Sequence, residues 1–137
     1  MSNTLYDFGR ESFANGDIDL LADTIKVVGI DHGVDTPNAA TDQYLSDLSA
    51  GSRIFTSAGL STKTTTAGVL DADDVTMSGV TGSSFESLTL YKDTGVAGTS
   101  ILILLLDTVG GLPFTPAGGG SDFLIVWDSG SNKIFKL

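Results

Sequence analysis

The chain has no cysteine, which excludes disulfide staples, thiolate metal sites and thiol nucleophiles together. Basic residues are scarce, with seven Lys and Arg against 17 Asp and Glu and a net charge of −10. Arg10, Lys26, Arg53, Lys63, Lys92, Lys133 and Lys136 are spread singly along the chain. No basic stripe therefore offsets the repulsion expected from a phosphate backbone or an anionic lipid surface. Neither nucleic acid nor a membrane is an expected partner. Long apolar runs are missing too. The longest, Ile101 to Leu106, falls far short of the roughly 20 residues a membrane-spanning helix needs. Residues Met1 to Asp7 contain no basic stretch leading into an apolar one, so no secretory signal is expected and the product is read as a soluble one made in a cytoplasm.

What is present fits one domain: 137 residues close a single core and would starve a second. Hydrophobic residues make up 41% and charged ones 18%, and the mean hydropathy is +0.20. That balance is too apolar for a disordered tail. Together with 17 glycines, it suggests that part of the apolar surface is covered by a partner.

Leu5, Tyr6, Phe8 and Phe13 recur at near-helical spacing before Asn15-Gly16, a pair suited to a helix end, so a helix or arm is expected over 1–16. The β-branched run Thr24 to Ile30 reads as a first strand. A second helix is expected over 39–50, because Thr41 can cap it, Tyr44, Leu45 and Leu48 share a face, and Gly51 stops it. From 52 to 137 the pattern is strands punctuated by Gly, Ser, Thr and Asp, at 52–56, 61–66, 75–77, 85–92, 100–107, 123–127 and 133–137, with a hairpin-like turn over 128–132. The Thr-rich segment 61–66 has no apolar face and belongs at an edge or in an arm. The expected fold is mainly β: an antiparallel β-sandwich or small barrel, with one or two short helices in the N-terminal third.

In Ile101 to Leu106 and in Phe123 to Trp127 both alternating faces are apolar. Each side must then be covered, one by the opposite sheet and the other by a helix from the first third or by a neighbouring subunit.

The sequence is poor in chemistry. His32, the only histidine, stands beside Asp31, but no Gly-x-Ser-x-Gly elbow accompanies it and it reads as a loop residue. Asp71-Ala72-Asp73-Asp74 looks like half of a calcium loop, yet Thr76 and Gly82 occupy the positions where Gly and a bidentate Glu belong. It reads as a solvated turn, as does the pair Asp17 and Asp19. Gly110-Gly111 and Gly118 to Ser121 lack the Gly-Lys-Ser/Thr ending of a phosphate loop. Phe114, between Pro113 and Pro116, lies in a loop excursion and is a candidate docking point. Trp127 sits beside Ile125 and Phe123, which favours core packing over sugar stacking. No cofactor site and no enzymatic activity are expected.

Three segments together resemble a family of small tailed-bacteriophage structural proteins. They are Leu20-Leu21-Ala22-Asp23-Thr24-Ile25-Lys26-Val27, Leu70-Asp71-Ala72-Asp73-Asp74-Val75-Thr76-Met77, and Phe123-Leu124-Ile125-Val126-Trp127-Asp128-Ser129-Gly130 leading to Lys133-Ile134-Phe135-Lys136-Leu137. Met77 stands where the family commonly has an aromatic residue. The resemblance implies a capsid cement (decoration) protein on the outer head surface of the virion, made in a bacterial host, trimeric, and bound to the major capsid protein. The contact residues expected for that role are Leu5, Tyr6, Phe8 and Phe114. A tail or head-fibre module with a spacer or receptor-binding role is the alternative within the virion, and a metal-stabilised or sugar-binding β module the alternative outside it.

Overall fold

The computed structural model describes residues 3–137, so the first two residues of the expected arm lie outside the described residues. Among the described residues the strands are β1 (Thr4–Leu5), β2 (Ile25–Ile30), β3 (Arg53–Thr56), β4 (Val69–Leu70), β5 (Val75–Val80), β6 (Ser87–Lys92), β7 (Leu102–Leu106), β8 (Ser121–Ile125) and β9 (Phe135–Lys136). The α-helix α1 spans Asp7–Asn15. A five-stranded antiparallel sheet runs in the order β1-β7-β6-β2-β3, and two ribbons, β5-β8 and β4-β9, accompany it. The architecture is a small β-sandwich, not a closed barrel.

Alternation along the central strands builds two cores. Ile25 and Val27 of β2 and Leu88 and Leu90 of β6 point towards the ribbons, where they meet Met77, Val80, Phe123 and Ile125, with Leu70 and Phe135 from the second ribbon. Gly29 stands on that same face because the Phe85 ring lies 2.9 Å from where its Cβ would sit. The other face carries Val28, Ile30 and Tyr91, which pack with Tyr6, Leu45 and Leu48.

β7 is fully apolar and fully buried. Leu90 faces Leu104 and Tyr91 faces Leu102, so Ile103 is the extra residue of a bulge. The bulge sends Ile103, Leu104 and Leu106 into the first core while Leu102 and Leu105 enter the second. The second face of β7 is thus covered by the first third of this same chain, and no other subunit is needed for it.

The N-terminal helix forms two residues later than its apolar spacing suggests. Thr4 and Leu5 pair with Leu105 and Leu104, and Tyr6 is extended with its amide donating to the Ile103 carbonyl at 2.9 Å. The sheet edge captures the backbone before the helix can start. Gly16, at φ 80°, ends it. Gly9 lets the helix lie against β7, for a Cβ there would fall 2.6 Å from the Leu102 carbonyl oxygen.

The second expected helix, over 39–50, does not form; only short 3-10 turns occur there, at Leu45–Asp47 and, from Ala50 on, at Ala50–Ser52. Its backbone is claimed from outside. Leu45 N donates to Ser100 O, Leu102 N to Gln43 O, and Tyr44 bridges to Ile101. Asp42 accepts from the Asn38 amide and Asp47 from those of Gln43 and Tyr44, closing turns that compete with helix. Segment 61–66 likewise forms no strand: Ser61 and Thr62 donate their hydroxyls to Asp73, and only Thr64 bridges, to Asp71. The turn at 128–132 makes no hairpin either, because β8 pairs with β5 and β9 with β4.

Candidate interaction surface

The four expected contact residues occupy different environments. Tyr6 is fully buried, and its hydroxyl is 3.0 Å from that of Thr89; it offers nothing to a partner and is corrected to a core residue. Leu5 is half-buried and packs against the first core, and Phe8 is half-buried on α1. Phe114 is held in a ring cluster, with centroids 5.4 Å from Phe85 and 4.8 Å from Phe123, and its backbone exchanges both hydrogen bonds with Phe85 at 3.0 Å. The loop excursion is therefore pinned to the core by Phe114, and its ring is only partly available from outside.

A different strand faces outward. Phe123, Ile125 and Trp127 are buried, whereas Leu124 is 55% and Val126 62% exposed. Asp122 and Asp128, in the same alternating register, are exposed as well. Thr76 stands opposite Leu124 on β5 and is exposed too. The outward face of β8 and of the residues that follow it is thus a short apolar strip, Leu124 and Val126, with a carboxylate at each end. Hydropathy could not find it, since both faces of 123–127 read as apolar. The usable signal was the pair of aromatic side chains, Phe123 and Trp127, on the inner positions, and the Asp residues that share the outer register.

Trp127 joins this ribbon to the Asp-rich turn. Its indole Nε1 donates to the Asp73 carbonyl at 2.9 Å and its amide to the Asp74 carboxylate at 3.0 Å. Asp73 accepts from Ser61 and Thr62, and Asp71 from the Ala72 amide. The carboxylates of the supposed half calcium loop are turned towards separate partners. Among the described residues no group of three or more His, Asp or Glu converges.

The same habit explains why the acids are mostly Asp. Asp19 accepts from the amides of Leu21 and Ala22, Asp23 from Asp19, Asp31 from Gly33, Asp35 from Ser49 and Asp122 from Gly79. A carboxylate one methylene from the backbone reaches turn amides that Glu overshoots.

His32 and Ser87, which the sequence did not connect, are neighbours: Nε2 lies 2.8 Å from the Ser87 hydroxyl. Asp31 is not the third member, since its carboxylate binds the Gly33 amide, and Glu86 accepts from the His32 backbone amide. Ser87 is fully buried in β6, so its oxygen is sealed from any substrate. The pair holds the loop after β2 onto the sheet.

Lys26 and Asp93 form the shortest ion pair among the described residues, at 2.6 Å. The Lys26 ammonium, followed by the Gly95 amide, holds the Asp93 carboxyl below its ordinary range, and Asp93 in turn raises Lys26. Burial pushes the Tyr6 and Tyr91 phenols up. Each of these shifts belongs to a structural contact. No helix among the described residues is long and apolar enough to cross a membrane. No protein-family model matches the chain, and no curated protein matches it.

Proposed function

We propose that the chain is a bacteriophage capsid cement protein that binds the outer head surface as trimers and fastens neighbouring major capsid subunits. The observation that carries this reading is the outward strip formed by Leu124 in β8 and Val126 just beyond it. The sandwich hides β7 within itself, yet leaves Leu124 and Val126 more than half exposed side by side on one face, although burying the remainder of each would be worth about 1 kcal/mol. A binding role uses such a strip; a self-contained monomer gains nothing from it.

The resemblance to tailed-phage structural proteins supports the reading, and two of its segments meet in space. Asp73 and Asp74 of the middle segment hold Trp127 of the last one, so these patterns describe one structural unit. A decoration protein works by avidity over many copies and requires contact surfaces in place of a reactive site. The buried Ser87 and the dispersed carboxylates are in keeping with that.

Labelled antibody against the chain on intact virions tests the proposal. Signal over the head surface is expected, and signal confined to the tail would replace cement with a tail or fibre module.

A further inference from the structure

We propose that the cleft bordered by the β4-β9 ribbon, the Thr-rich segment before β4 and the turn before β9 is a binding site for a phosphorylated sugar unit, carried either on a free metabolite or on a glycan. This inference is independent of the capsid reading. The cleft is open to solvent and offers about 430 Å³, within the size range of small-ligand sites. Two of the seven basic residues of a chain with net charge −10 line it, Lys133 and Lys136. Lys136 has no carboxylate within ion-pair distance among the described residues, and Lys133 has only Asp71, at 3.8 Å with both side chains more than a third exposed. Such a pair is weak and easily exchanged. Two ammonium groups on flexible stems suit the point-charge recognition of a phosphate.

The rest of the wall suits hydroxyls. Thr64, Thr66 and Ser131 line the cleft, and each can donate and accept. Asp71 supplies an acceptor for a sugar hydroxyl once Lys133 turns to the phosphate. The cleft is also where the backbone is strained: Ala67 at φ 54° and Lys133 at φ 48° both line it. Left-handed conformations at non-glycine residues are unfavourable and gather where a structure is shaped around something else.

Nuclear magnetic resonance titrations of the full chain at low ionic strength with inorganic phosphate, glucose 6-phosphate and glucose test the proposal. Glucose 6-phosphate is expected to shift the amides of Thr64, Thr66 and Lys133 and to bind roughly tenfold more tightly than phosphate, with glucose silent. The variant Lys133→Gly/Lys136→Gln should lose that binding and keep its melting temperature, since Gly accepts the left-handed backbone at 133. Arg10→Gln, which removes one exposed positive charge away from the cleft, should bind as the wild type does. Equal affinity for phosphate and glucose 6-phosphate would overturn the sugar assignment. Silence of both, or unchanged binding in the double variant, would overturn the site. If glucose 6-phosphate binds, a phosphorylated oligosaccharide separates the sources: retained affinity assigns a glycan, and lost affinity a free metabolite.

Discussion

The hydroxyl of Tyr6 lies 3.0 Å from that of Thr89, its partner 83 positions later, inside the second core. This bond fixes the entry of the N-terminal segment against the middle of the sheet. Tyr6→Phe should lower stability by about 1–2 kcal/mol, because Thr89 is left buried without its partner. The two proteins should also differ in alkali. The unfolded phenol ionises near its ordinary 10.0 while burial keeps the folded one neutral, so this contribution is full below pH 10 and is lost as pH rises beyond it. Urea denaturation from pH 7 upwards should show a shallower alkaline decline for Tyr6→Phe.

Gly9→Ala reverses the usual rule for helices. Ala is favoured over Gly in a helix interior by about 1 kcal/mol, but here its Cβ would meet the Leu102 carbonyl oxygen at 2.6 Å. A net loss of about 2 kcal/mol is expected as α1 is pushed off β7. Gly98→Ala, with open space around its Cβ, is the control and should stay within about 0.5 kcal/mol of the wild type. Thermal melts of the two variants provide the comparison.

Asp93→Asn should flatten part of the acid limb of the stability curve. The folded carboxyl is held below its ordinary 3.8 by Lys26 and the Gly95 amide, so its contribution is present above that value and disappears as pH falls through the lower, folded one. The effect at neutral pH should be about 1 kcal/mol or less, since both side chains are partly solvated. Chemical denaturation between neutral and strongly acid pH measures it.

Phe114→Ala should cost about 2 kcal/mol, through loss of the ring contacts to Phe85 and Phe123. Were the excursion merely a free docking loop, the same change would leave the melting temperature alone.

The β-rich sandwich was readable from the sequence because its strands announce themselves by β-branched runs between turn residues, as Ile25 to Ile30 does. The helix over 39–50 misled for a physical reason. Leu45 and Leu48 are buried at helical spacing, but a 3-10 turn and an extended bridge present the same two side chains, and the deciding bonds, Leu45 N to Ser100 O and Leu102 N to Gln43 O, run to residues far along the chain. Tyr6 was invisible as a core residue for the same reason, its partner Thr89 being distant in sequence.

The candidate surface was legible only in part. The sequence identified that the last strands carry apolar residues on both faces, and for β7 the bulge at Ile103 explains how the chain covers both. For β8 alternation alone could not say which of Phe123 and Leu124 turns inward; Phe85 and Phe114, which close around Phe123, make that choice.

The most direct test is a binding measurement on purified expanded heads that lack this chain, comparing the wild type with Leu124→Thr/Val126→Thr, which places β-branched residues, suited to extended backbone, at both exposed positions. The proposal predicts saturable binding of wild-type protein to the head surface and affinity weaker by roughly tenfold or more in the variant at an unchanged melting temperature. Heads that bind no wild-type protein, or that bind the variant equally well, would contradict it.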